Sequence, residues 1–175
     1  MSQNLEDSLE LIESLAGTSD EIARLLSDIQ LQAINIKPSA DEFSPLETIC
    51  HLRDIEVEGY STRINRILAE ESPVLADIDG GRLAIERAYN DQAVYEAFDA
   101  FALARTLNVA VLREVDEEQI ERAGILEGIG NVSLHKLLLM MREHDDGHLD
   151  DLRKIANRSS ARPGYGPECT AKASA

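Results

Sequence analysis

Apolar residues recur at intervals of three and four along most of this chain, the signature of helices that bury one face. Leu5, Leu9, Ile12 and Leu15 form the first stripe, and Ile22, Leu25, Leu26 and Ile29 the second. Gly17 stands between them, and Thr18 with Glu21 has the spacing of a capping box, so the region reads as one broken helix or as two. Ser44-Pro45-Leu46-Glu47 is a clearer start, with a capping serine, a proline at the first helical position and a glutamate at the third. That helix is expected to run to about Glu70, where Ser72-Pro73 stops it. Its core side is expected to carry Leu46, Ile49, Cys50, Val57, Tyr60, Ile64, Ile67 and Leu68.

Residues 73 to 90 have no settled period. Asp79-Gly80-Gly81 marks a turn, Leu83 to Tyr89 suits a short helical piece, and Asn90 and Asp91 suit the cap of a helix from about Gln92 to Val115. The stripe of that helix is Val94, Ala97, Phe98, Phe101, Leu107, Val111 and Leu112. Between Asp116 and Val132 the period fades among Gly124, Gly128 and Gly130, which predicts a connection across the end of the bundle containing at most a short extended stretch. Asn131-Val132-Ser133 then leads into a last helix from Leu134 to about Ala156.

Four long amphipathic segments without a strand pair predict an all-α four-helix bundle, one domain over residues 1–156. Residues 157–175 are small, polar and punctuated by Gly and Pro, and are read as a disordered tail.

Composition narrows the classes of partner. Aromatics are only 4% of residues and Trp is absent, so the core is expected to be aliphatic. With 33 Asp and Glu against 17 Lys and Arg, the formal charge is −16. Such a surface repels phosphate backbones and anionic headgroups, which argues against nucleic acid and membrane partners. The acidic start of the chain does not resemble a secretory signal, and no apolar run approaches the roughly 20 residues of a membrane span. Cys50 reads as a buried helical thiol and Cys169 lies in the tail, so two cysteines make no disulfide framework and a cytoplasmic location is expected.

The candidate chemistry is in the last helix. His144 and His148 are four apart, which puts both imidazoles on one face, and they continue the inward stripe of Leu137, Met141, Leu152 and Ile155. A buried imidazole needs a partner, and two of them suit one metal ion; taken alone, such a pair reads equally well as ordinary core histidines. Gly147 between them is a candidate for close approach of a neighbour. His51, two turns after the Ser44 cap, would join the pair if its helix packs on the last one. Three imidazoles with an open position describe a site that activates water or polarises a substrate. Glu47, Asp54 and Glu58 share the helical face of His51, and the sequence does not choose among them as its hydrogen-bond acceptor. His135 reads as structural, Asp145, Asp146, Asp150 and Asp151 as a solvated face, and Tyr60, Tyr89 and Tyr95 as core or rim residues.

Two stretches carry a resemblance to a known family. Phe43-Ser-Pro-Leu-Glu-Thr-Ile-Cys-His51-Leu-Arg-Asp54-Ile-Glu56 resembles the first signature of the DinB-like (DinB/YfiT) superfamily, and His144-Asp-Asp-Gly-His148-Leu, followed by Leu152, resembles its second. Helix order and spacing match up to about Ala156. Phe43 stands where the family often has Trp, a change that touches packing and leaves the three histidines intact. The resemblance implies a DinB/YfiT-like four-helix bundle holding one divalent metal ion, zinc or nickel, on His51, His144 and His148. It further implies a homodimer, and a small-molecule substrate of the kind handled by thiol-dependent transferases and isomerases that use low-molecular-weight thiols such as mycothiol or bacillithiol. A metal-dependent transferase or hydrolase is therefore expected. The alternative is a non-catalytic bundle that binds metal or a partner. A di-iron site is disfavoured, because neither inward histidine has a Glu three residues before it.

Overall fold

Gly17 does break the first helical region in two. In the computed structural model, which describes residues 3–160, α1 spans Gln3–Ala16 and α2 spans Thr18–Asp28. The expected capping box at Thr18 is absent: Gly17 is the N-cap, and the Thr18 hydroxyl is buried and donates to Asp145 instead, at 3.0 Å. A 3₁₀ turn at Leu31–Ala33 and an irregular segment then lead to Ser44.

Here the sequence signal holds in full. Ser44 Oγ accepts from the Glu47 amide at 3.1 Å, Glu47 Oε2 accepts from the Ser44 amide at 2.8 Å, and Pro45 occupies the first turn. The helix they start runs as α3 (Pro45–Asp54), a π-helical turn (Ile55–Tyr60) and α4 (Ser61–Ala69). A π turn inserts a residue into the α-helical phase. Val57, expected on the core side, is consequently turned out to 44% exposure, while Glu56 goes into the core at 1%.

Beyond Pro73 the chain forms β1 (Val74–Leu75), α5 (Gly80–Glu86, capped by Asp79), a 3₁₀ turn at Tyr89–Asp91 and α6 (Val94–Leu112). Asn90 and Asp91 do not cap α6, whose N-cap is Ala93. Asn90 instead ties two loops to the α3 start, accepting from Ser44 Oγ and donating to the Asn35 carbonyl. Two residues expected in the α6 stripe, Leu107 and Val111, are 59% and 41% exposed, and Arg105 and Asn108 are buried in that stripe instead.

The connection after α6 holds more order than the glycines suggest. A five-residue α7 (Glu117–Glu121) precedes β2 (Ala123–Leu126) and β3 (Gly130–Ser133). β2 pairs in parallel with β1 and antiparallel with β3, giving a small three-stranded sheet where a connection with a short extended stretch is expected. Gly128 and Gly130 have φ of 76° and 100°, backbone that favours glycine, and this turns the hairpin. Ser133 Oγ accepts from the Lys136 amide and caps α8 (Leu134–Ser160), which runs about a turn past the expected end near Ala156.

The four long elements, α1 with α2, α3 with α4, α6 and α8, form a four-helix bundle in which α8 packs on α1, α2 and α3, and α6 packs on α1 and α3. Two apolar clusters fill it. One is built around Ile12, Leu15, Ile64, Leu112, Leu137 and Met141, the other around Ile22, Ile49, Leu52, Phe101, Leu149 and Leu152. Between them lies a buried polar layer of Thr18, Glu56, Arg105, Asn108 and Asp145. Among the described residues no helix is long and apolar enough to cross a membrane. Cys50 is a free thiol buried in α3, as expected, and burial pushes it up to about 11; Cys169 lies outside the described residues.

Candidate metal centre

His51 sits at the end of the second turn of α3, where the Ser44 cap and the packing of Leu52 and Ile49 fix its direction. His144 and His148 lie one turn apart on α8, and α3 packs on α8. The three imidazoles converge. One ring nitrogen from each lies within 4.8 Å of the others, and Nε2 of His51 is 3.0 Å from Nε2 of His144. The ring centroids stand 4.6 to 5.1 Å apart, with every pair tilted or edge-on.

The rings are held from outside as well. The Phe43 ring centroid is 5.4 Å from that of His51, and the Tyr60 ring meets His144 edge-on at 6.0 Å. Gly80, the first residue of α5, lies against His51 so closely that a β-carbon there would overlap the imidazole. Gly147, expected to make such room, has open space where its side chain would be.

Burial, and then the neighbouring histidines, hold His51 down to about 3; burial, and then His144, holds His148 down to about 4. Both rings are therefore neutral at pH 7, the form in which imidazole binds a metal. Nδ1 of His51 and Nδ1 of His144 are buried with no hydrogen-bond partner. These atoms lie on the far edge of each ring from the Nε2 pair, and on His51 that edge faces the Gly80 backbone, which leaves Nε2 as the atom these two rings turn toward the centre. Three imidazole nitrogens this close, from two rigid helices, fit a divalent transition-metal ion.

None of the three carboxylates considered from sequence receives a ring N–H of His51. Glu47 is used by the Ser44 amide and pairs with Lys37 at 3.3 Å. Asp54 accepts from Tyr89, Arg53 and Arg87, and Glu58 accepts from Arg87. The carboxylate beside the centre is Asp145, expected on a solvated face but only 1% exposed, with Oδ1 4.0 Å from His144 Nδ1. Its neighbours behave as expected: Asp146, Asp150 and Asp151 are exposed on their side chains. Asp145 falls four residues after Met141 and four before Leu149, both buried, and that interval was the signal for it.

Asp145 is paired with a residue the sequence did not single out. Arg105 donates to Asp145 at 2.6 and 3.1 Å, to Glu56 at 3.0 and 2.9 Å, and to the Leu15 carbonyl at 3.1 Å. Asn108 adds a bond to Glu56 at 2.7 Å. The guanidinium, 2% exposed, thus joins the π turn that follows His51 to the helix that carries His144 and His148. His135, far from the centre, is bonded to Ser8 at 2.8 Å and is structural.

A cleft of about 210 Å³ opens over His148, walled by Phe43, Thr48 and Ile155. The sequence profile of the DinB superfamily matches residues 14–152. The chain belongs to the DinB superfamily. That match contains His51, His144 and His148 and runs from the end of α1 into α8. A similar solved structure is YfiT from Bacillus subtilis, described as a probable metal-dependent hydrolase with an unusual four-helix bundle topology. The two share 15% identity over 91% of this chain and 90% of that one, with a TM-score of 0.82, which establishes the common fold. No curated protein matches this chain.

Proposed function

We propose that this DinB-superfamily chain is a metal-dependent enzyme that holds one divalent ion, zinc or nickel, on His51, His144 and His148. The observation that carries the reading is the convergence of three ring nitrogens within 4.8 Å beside a cleft. An ion held by three imidazoles supplies Lewis acidity toward whatever occupies its remaining positions. The chain supplies the rest. His51 and His148 arrive neutral, with no proton to shed on binding. Phe43 and Gly80 fix the plane of the His51 ring, and Arg105 ties the π turn to α8, so the donors are preorganised.

Of the three histidines only His148 lines the cleft, so a small-molecule substrate would approach across it. Hydrolysis is the reaction favoured by the description of YfiT, and transfer to a low-molecular-weight thiol is the variant favoured by the motif resemblance. The exposed apolar face of α6, with Leu103, Leu107 and Val111, supports a homodimer, and the free buried thiol of Cys50 among the described residues supports a cytoplasmic setting.

The test is the metal content of untagged protein purified without chelator, for the wild type and for His148→Ala. About one divalent ion per chain, lost in the variant, supports the reading. Wild type that remains metal-free after incubation with zinc and nickel overturns it and leaves a partner-binding bundle.

A further inference from the structure

The cleft over His148 does not end there. A second cavity, of about 280 Å³, shares the walls formed by Pro38, Ile155 and Arg158 and continues along α8 to Ser159. Each space is smaller than a typical ligand pocket, but together they reach that range. From His148 to Arg158 is ten residues of helix, or about 15 Å. The path is therefore long.

Its two ends differ in charge. The inner cavity is lined by the acids Asp41, Glu42 and Asp151 and by the cations Lys154 and Arg158, with Asp151 bonded to Lys154 at 2.8 Å, so acids outnumber cations there. The outer cavity has Ala33, Ile36, Pro38 and Ile155 as apolar wall, Lys37 and Arg158 as its charged residues, and no acid. In a chain of net charge −16, a cavity lined by two cations and no acid is a local reversal of the field. Lys37 is partly neutralised by Glu47 at 3.3 Å, whereas Arg158 has no ion-pair partner among the described residues.

We infer that the groove takes an elongated amphipathic anion. Its reacting end lies over His148, its apolar body against Ile155 and Pro38, and its terminal carboxylate, sulfonate or phosphate at Arg158 and Lys37. Asp41 and Glu42 of the inner rim, unlike Asp151, are not paired with Lys154, and they disfavour an anionic group at the reacting end, so charge sets the direction of entry as well as the class of molecule. Planar guanidinium geometry suits two-pronged capture of a carboxylate or phosphate. The inference rests on the three-histidine centre being the reacting centre.

The test is calorimetric titration of the full-length chain with decanoate, decanol and decyltrimethylammonium, before and after loading with zinc, with metal content measured on the same samples. Decanoate is expected to bind at least tenfold more tightly than decanol, and decyltrimethylammonium more weakly than either. Arg158→Gln is expected to remove the preference for decanoate while keeping decanol affinity and metal content unchanged. Equal affinity for the three probes, or a decanoate preference that survives Arg158→Gln together with Lys37→Gln, overturns the inference. Metal content distinguishes the failures: a chain that holds one ion yet shows no anion preference has lost only the groove assignment, whereas a chain that takes up no metal has lost the centre.

Discussion

The His51 ring lies against the Gly80 backbone and occupies the space a β-carbon there would need. Adding one methyl group at this site must displace the imidazole or the start of α5. Gly80→Ala is expected to leave the far-ultraviolet dichroism unchanged and to weaken metal binding by about 10- to 100-fold, the usual cost of disturbing the support of a ligand. Gly81→Ala, whose β-carbon would meet only an ordinary contact with Asp79, is the control and should bind metal as the wild type does. Competition against a chromophoric chelator measures both, and wild-type affinity in Gly80→Ala would show that the contact does not constrain His51.

Arg105→Met removes the cation from between two buried carboxylates. Breaking a buried pair from one side costs about 3–5 kcal/mol, because the partner charges stay behind. Urea denaturation should show a loss of that size. Adding Glu56→Gln and Asp145→Asn to Arg105→Met should restore much of it, since no charge is then stranded. A triple variant no more stable than the single one would mean that packing around Phe101, whose ring lies 5.0 Å from the guanidinium, dominates instead.

Stability of the metal-free protein should fall as pH falls. His51 and His148 titrate near 3 and 4 when folded, below the ordinary imidazole value, so between about pH 6.5 and those values the unfolded chain binds more protons than the folded one. Each histidine then contributes a slope of up to about 1.4 kcal/mol per pH unit in favour of unfolding. The stability each confers is full above its unfolded value and is lost progressively below it. Asp54 and Asp145, both held below the usual carboxylate range by their hydrogen-bond donors against the effect of burial, add to the loss at still lower pH. Thermal melts from pH 7 to pH 4.5 measure this, and the slope should flatten in His51→Gln, which has no ring to protonate.

Gly147 costs the last helix about 1 kcal/mol relative to alanine and makes room for nothing. Gly147→Ala should stabilise the protein by up to about that amount in urea denaturation and leave metal content unchanged. A destabilised variant would mean that this position has a partner in solution, such as a second copy or a bound substrate.

Sequence alone reaches the bundle and the pairing of His144 with His148 on one face because both rest on local rules, whereas the approach of His51 depends on how α3 packs on α8. The Ser44-Pro45-Glu47 cap is chemistry confined to one turn, and the interval from His144 to His148 is a property of any helix. What it missed depends on partners distant in the chain. The π turn at Ile55–Tyr60 leaves no mark in the hydrophobic period, so the period puts Val57 inside and gives no sign of Glu56. Asp145 reads by type as an acid that belongs outside, and it is Arg105, 40 residues away from it and 49 from Glu56, that with Thr18 and Asn108 makes their burial tolerable. Thr18 likewise looked like a cap because its partner Asp145 lies 127 residues on.

A half-assembled bundle has nowhere to put the Arg105 guanidinium. Its partners arrive from the π turn, from α8 and from the end of α1, and the same aspartate holds Thr18 of α2. Withdrawing the cation from water before all of them are in place would isolate a charge in an apolar interior. The two apolar clusters on either side of that layer therefore cannot close one at a time at little cost. Their assembly is made concerted by a shared ion, and the chemistry that separates them in space joins them in folding.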